Sequence, residues 1–472
     1  MNIDPQALTT SGQRGFALAL AERATALNSE NLGADAFRWA KVGVLDTLGV
    51  TLAGSREDAA RLVAASLDLA CGPSLLLGST RRAGALDAAL VNGTASHVLD
   101  FDDSNNTMGG HPSAPVLSAL LALADEEENI SGRDFLLAYV TGFEVETKIG
   151  LAVNFHHYQK GWHPTATLGV FGAAAACGRL MGLDAKRMAT ALAISASLAS
   201  GIKANFGTMV KPLHVGHCAR NGLFAARLAQ QGFTANACSV FEHEQGFLDV
   251  FNGVGTYDTA RAIAEWSSPL DIVQPSIAIK QYPCCGSTHP AIDALLSLMR
   301  EHNFMPAQVR CLQAWIHPRR LKHTNRPHPL TALEAKFSLQ YVLARALING
   351  RVGVQDFEGD AYQDKKVRDL MLRIEVAAYD ENMFDATNHF GAVVRVTFVD
   401  GSVKEARVEQ ALGRDSAHPL PQDLLQAKFE LCARTVLREE AVADVVNNVA
   451  CIETLNDMRT LSEQLSRVKT SF

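Results

Sequence analysis

From about residue 13 to about residue 265 the chain is a succession of alanine- and leucine-rich amphipathic segments of helical length, such as "ADAFRWAKVGVLDTLGVTLAG" and "DAKRMATALAISASLASG". Gly, Asn and Pro punctuate them, as expected where helices stop and turn. Small residues recur densely, as in "LGVFGAAAACG", so helix axes can approach closely. This pattern predicts a many-helix globule rather than a simple four-helix bundle.

Near residue 270 the character changes. "PSIAIKQYP" and "QVRCLQAWIHP" read as strands, and "VVRVTFVDGSVKEARVE" alternates on both sides of Asp400-Gly401, a hairpin signal. One helix, "TALEAKFSLQYVLARALING", lies between them, and after "HPLPQD" the chain returns to helices. The predicted fold class is therefore mostly α with a smaller α+β domain. Its parts are a helical domain over 1–269, an α+β lid over 270–408, and C-terminal helices over 409–472 that complete the first domain. At 472 residues the chain is too long for one ordinary core, which agrees with two domains.

Several function classes lose ground at once. A net charge of -7 with scattered basic residues leaves no footprint for nucleic acid. The longest apolar stretch, "WHPTATLGVFGAAAACGRLMGL", carries His163, Pro164 and Arg179 and reads as an internal helix, not a membrane span. The opening residues show no basic, apolar and cleavage-site series of a secretory signal, so a cytoplasmic location is expected. Nine cysteines without a CxxC pair indicate neither a disulfide framework nor a structural zinc site. No GxSxG elbow, P-loop or post-strand GxGxxG is present, which disfavours serine hydrolysis and nucleotide cofactors.

Four short stretches could carry chemistry. "HVLDFDDSNNTMGGHPS", His97 to Ser113, sets three carboxylates and two histidines between two helical patterns. Such residues also serve as caps and turn formers, but three carboxylates in four positions repel one another unless cations, donors or substrate offset them. "GWHPTATLGVFG" puts His163 directly before Pro164 at a helix start, and "NFGTMVKPLHVGHCARNG" presents Lys211 and His214 in a turn before another helix. "IKQYPCCGSTHPAIDA" runs from Lys280 through Ser287 and Thr288 into a helix, where backbone donors could cradle a carboxylate. Its vicinal Cys284 and Cys285 read as packing residues. A magnesium site built on "DFDD" for diphosphate chemistry would want a second aspartate-rich motif, which the helical half lacks, so no metal ligands are assigned.

Together "HVLDFDD" with "HPS", "GWHPT", "GTMVKPLHVG", "KQYPCCGSTHPAID" and "EAKFSLQY" resemble the MmgE/PrpD family, in family order and over most of the chain. The resemblance implies a large helical domain, an α+β lid with the active site in the cleft between them, a homodimer, no cofactor, and small di- or tricarboxylate substrates. Carried over residue by residue, it implies catalytic roles for Asp100, His111, His163 and Tyr341. Lys211 and Lys280 would hold substrate carboxylates, and Ser104, His214, Ser287 and Thr288 join them as substrate-binding candidates. Two departures stand out against the decarboxylases of the family: Ser104 replaces their usual Thr in a longer connection to His111, and "CCGSTHP" differs from their motif.

Chemistry beside a carboxylate develops negative charge, which lysines can hold while histidines carry protons. The expected function is thus a cofactor-independent lyase, first a dehydratase of a 2-methylcitrate-like hydroxy acid. A decarboxylase of an aconitate-like acid and a dicarboxylate epimerase are the alternatives within the family. Outside it stand a magnesium-dependent helical enzyme and a non-catalytic binding protein.

Overall fold

The computed structural model describes residues 15–267, 269–380, 382–385 and 388–469. The first residues of the chain, read above for a leader, lie outside the described residues. Two compact units emerge: one runs to Ala278 and resumes at Gln422, and the other is Ile279–Pro421.

The first unit is helical because its apolar residues recur with helical period and its small residues let the rods touch. The helices Ala85–His97 and Val210–Gln230 cross through Gly93 and Gly216. A Cβ on Gly216 would stand 2.1 Å from the Leu90 carbonyl oxygen, so no other residue fits at this crossing. That close approach matters for position, since one helix ends at His97 and the other begins next to Lys211. The long buried helix Gly132–Val153 starts at Ser131, whose hydroxyl accepts the Asp134 amide as an N-cap. Among the described residues no helix is long and apolar enough to cross a membrane.

The chain's return after residue 421 completes this unit. Phe429 of the helix Gln422–Ala433 packs against Gly49 of the helix Gly33–Gly54. Beside it Lys428 pairs with Asp46 at 2.6 Å, both buried, and donates to the Phe101 carbonyl at 2.8 Å. The helix Gln422–Ala433 is thereby tied to the aspartate-rich loop.

The second unit is α+β. Strands Val309–Ile316 and Ala392–Phe398 pair antiparallel, Trp315 opposite Val393, and form the centre of a four-stranded sheet. Ile374–Ala378 adds on one side in parallel and Val403–Val408 on the other in antiparallel. The last hairpin turns at Gly401, whose φ of 88° suits glycine, as the Asp400-Gly401 signal predicts. Helices His289–His302 and Leu339–Asn349 contribute Ile292, Leu295, Val342 and Leu343 to one core with Leu312, Val394 and Val396 of the sheet.

Three sequence expectations need correcting. "PSIAIKQYP" forms no strand, only a single bridge between Ala278 and Ser104. The segment read as one helix around "FSLQY" is two, Ala332–Lys336 and Leu339–Asn349, because Ser338 leaves the helix and caps the second one through the Tyr341 amide. Both unit boundaries also fall later than 269 and 408. Before Ala278 the segment is bound to the helical unit, where Glu144 accepts the amides of Asp271 and Ile272 at 3.0 and 2.9 Å and Lys148 pairs with Asp271 at 2.6 Å. At the other end the stretch after 408 stays with the second unit, since the Ile279 amide donates to Gly413 at 2.7 Å and the Leu412 amide to Asp293 at 3.2 Å.

Candidate active site

The loop after His97 holds its shape through backbone and amide bonds. Asp100 has φ 54°, a left-handed conformation that aspartate tolerates better than most residues. Asn105 receives the Met108 amide at 2.9 Å and donates to the Ser276 carbonyl at 2.9 Å. Ser104 exchanges backbone bonds with Ala278, 2.9 Å from its amide and 2.6 Å to its carbonyl. A Pro residue then opens the approach to the next helix, Ser113–Glu126, with His111 left just outside it.

Five of the expected residues meet in the helical unit. Lys211 Nζ lies 2.8 Å from Asp100 Oδ1, and His111 Nε2 lies 4.0 Å from the same oxygen. His163 precedes Pro164, the first residue of the short helix Pro164–Thr167, and its Nδ1 is 3.3 Å from His214 Nδ1. Lys211 and His214 sit inside the first turns of the helix Val210–Gln230, not in a turn before it, because Pro212 is compatible with a first helical turn. Asp100, His111, Lys211 and His214 keep partial solvent access, while His163 is buried.

Three further side chains complete this group. His97 Nδ1 donates to Asp102 Oδ2 at 2.8 Å, and His111 Nδ1 lies 3.1 Å from that same oxygen. The His97 ring is 4.7 Å from the His111 ring and 5.4 Å from the His163 ring, centroid to centroid. Phe206 meets the His163 ring edge-on at 4.9 Å and lies 5.4 Å from the Lys211 ammonium. His97 and Asp102 stand in the same stretch as Asp100 and His111, so the sequence displayed them without ranking them. Phe206 sits in "NFGTMVKP", where nothing separates it from a core aromatic.

Charge in this group is set by burial and by proximity. Burial, then the neighbouring His97, Lys211, His111 and His214, hold His163 well below the usual imidazole range. Burial likewise takes His97 down to about 4, against the pull of Asp102. Burial would raise the Asp102 carboxyl, but His111 and His97 outweigh it and hold it well below the usual carboxylate range. His97 and His163 are therefore neutral at neutral pH, close to an ionised Asp102.

Asp103 behaves in the opposite way. Its carboxylate faces Ser113, whose amide donates at 3.3 Å and whose hydroxyl also bonds both Asp103 and Tyr139. Burial and the nearby Asp46 push it up to about 8. It holds the loop to the helix Ser113–Glu126 and faces no cation.

His97, Asp102 and His111 each present an atom within 4.8 Å of the other two, the only such group with metal-ligand character among the described residues. Within it His97 Nδ1 is hydrogen-bonded to Asp102 Oδ2 at 2.8 Å, whereas His111 Nδ1 stands 3.1 Å from that oxygen outside hydrogen-bond geometry.

The remaining expected residues lie in the second unit. Lys280 is half-buried just after its start. Ser287 Oγ lies 3.1 Å from both His323 Nε2 and Arg320 Nη1, while Thr288 donates to the Cys285 carbonyl at 2.8 Å. Cys284 is a buried packing thiol, pushed by burial up to about 12. Tyr341 has its hydroxyl engaged within the second unit. It is wholly buried, its hydroxyl donates to the Asp356 carbonyl, and the Tyr341 hydroxyl oxygen in turn accepts Arg345 Nε at 2.9 Å. The ring packs in the core of the second unit.

The chain is similar in sequence to known proteins. The family model described as the MmgE/PrpD N-terminal domain matches residues 18–260, and that of the MmgE/PrpD C-terminal domain matches 282–454. The chain belongs to the MmgE/PrpD family. Cis-aconitate decarboxylase of Homo sapiens is 33% identical over 80% of this chain and 79% of its own. Cis-aconitate decarboxylase of Aspergillus terreus is 27% identical over 98% of both chains. The 2-methylcitrate dehydratase of Salmonella typhi is 24% identical over half of each chain.

Proposed function

We propose that the protein is a cofactor-independent lyase of small polycarboxylates, and that its reaction is the decarboxylation of a cis-aconitate-like unsaturated acid. The observation that carries the reading is the Lys211–Asp100 pair at 2.8 Å beside the His111 and His163 imidazoles. A cation next to imidazole proton carriers suits a carboxylate substrate whose adjacent carbon takes on negative charge. In decarboxylation the bond to one carboxylate breaks, carbon dioxide leaves, and the electron pair spreads into the alkene and a second carboxylate. Lys211 would hold that charge, and a histidine charged by the incoming anion would return one proton to carbon. The relatives of matching length, named decarboxylases, favour this reaction.

A second reading is dehydration of a 2-methylcitrate-like acid. The depressed basicity of His163 favours it, because a neutral imidazole is ready to accept a proton from carbon. Hydroxide would then leave as water once protonated. Proton NMR in deuterium oxide separates the two with chelator-treated protein, cis-aconitate, 2-methylcitrate and citrate. Carbon dioxide release with one deuteron placed on carbon supports the decarboxylase, and an alkene formed from a hydroxy acid supports the dehydratase. Either must vanish in His163→Ala. Turnover that persists in that variant, or that requires added metal, would remove the reading.

A further inference from the structure

We propose that His97 and Asp102 are a positioning pair for His111: Asp102 holds His111 by Nδ1, and His97 shares the same carboxylate oxygen and limits its pull. The proposal rests on the reading of His111 as a proton carrier. Asp102 Oδ2 is hydrogen-bonded to His97 Nδ1 at 2.8 Å and stands in ion-pair contact, 3.1 Å, with His111 Nδ1, a buried nitrogen with no other partner whose ring needs only a small rotation to close a hydrogen bond there; both Asp102 and His97 are buried. A carboxylate set against one ring nitrogen selects the tautomer with its proton there. His111 Nε2 is then left as the acceptor on the side of Asp100 and Lys211, where Asp100 Oδ1 is 4.0 Å away. The main chain that carries the ring is anchored as well, since the His111 amide donates to Thr165 Oγ1 at 3.1 Å.

His97 explains why a buried aspartate next to a proton carrier does not simply trap the proton. A lone carboxylate beside an imidazole favours the charged ring and keeps it from acting as a base near neutral pH. A second donor on the same oxygen spreads that charge over two partners. The groups that face this trio are Asp100 toward His111, Lys211 and His163 toward His97, and Asp103 toward Asp102.

Four variants of the full-length protein test the pair. In Asp102→Asn, kcat should fall about 100-fold with KM changed less than about three-fold, as when a partner behind a reacting group is lost. In His97→Phe, which keeps a ring at this position but no donor, the acid limb of the kcat/KM profile should move up by about one pH unit. His97→Gln, which restores an amide donor, should bring the limb part of the way back. Histidine-selective 15N NMR, independent of turnover, should show the His111 proton on Nδ1 in the wild type and redistributed in Asp102→Asn. Unchanged kcat, profile and tautomer would overturn the pair, as would a stoichiometric divalent metal on which activity depends. The two readings fail separately: full activity in His111→Ala defeats the role of His111, whereas an inactive His111→Ala beside wild-type behaviour in Asp102→Asn and His97→Phe defeats only the pair.

Discussion

Asp102 and Asp103 share a peptide bond and are both fully buried, yet they are driven in opposite directions. Asp102 turns into a pocket of two imidazoles and stays ionised. Asp103 turns toward Ser113 and Tyr139, with Asp46 near, and is held protonated up to about pH 8. Asp100, three positions from Asp103, is partly exposed and paired with Lys211. Burial costs the charged form of each carboxylate, and only the partner across the pocket decides whether that cost is offset. The comparison teaches that "DFDD" is three sites of different kinds rather than one acidic patch.

The comparison can be broken most directly at its exposed end. Lys211→Ala, which strips Asp100 of its cation and, on the proposed function, the substrate of its charge partner, should lower kcat/KM about 1,000-fold in steady-state assays. A smaller loss than that of Asp102→Asn would shift the centre of the chemistry away from Lys211. Next, Asp103→Asn should leave kcat within about three-fold of wild type, since a neutral amide can replace a protonated carboxyl in a structural bond. A 100-fold loss there would erase the distinction between the two aspartates.

The pH dependence of stability sharpens the same contrast, with opposite signs. The folded value of Asp103 is raised from 3.8 to about 8, so its contribution is complete below 3.8 and is lost as pH rises toward 8. From pH 6.5 to 8, chemical denaturation should move in favour of Asp103→Asn by about 2 kcal/mol relative to wild type. The folded value of His97 is lowered from 6.5 to about 4, so its contribution is complete above 6.5 and is lost as pH falls. His97→Phe should therefore gain on wild type by about 1.4 kcal/mol per pH unit below 6.5. The smallest expected effect is that of Ser113→Ala, about 1 kcal/mol from the lost hydroxyl bond to Asp103, read from the urea midpoint.

Much of this was legible along the chain. Helical period and small residues predict the first unit, the Asp400-Gly401 signal places the last hairpin, and three of the four short stretches supply the residues that gather around Lys211. The errors have a common cause. "PSIAIKQYP" has the composition of a strand, but Ala278 finds only Ser104 to pair with, and "FSLQY" has helical period, but Ser338 prefers to cap. Each outcome depended on a partner distant in sequence or on a local side-chain bond that competes with the pattern.

What the sequence determined by itself is the fold class, the family, and the set of acids, bases and cations available in the loops, because period, glycine placement and residue type are local properties. Only the tertiary structure decided which aspartate is charged and which histidine meets which oxygen. The Gly93–Gly216 crossing brings the ends of two helices together, and Lys428 and Thr165 fix the loop from segments far along the chain. Ionisation in a buried site follows the field of the neighbours, and those neighbours are assembled by packing.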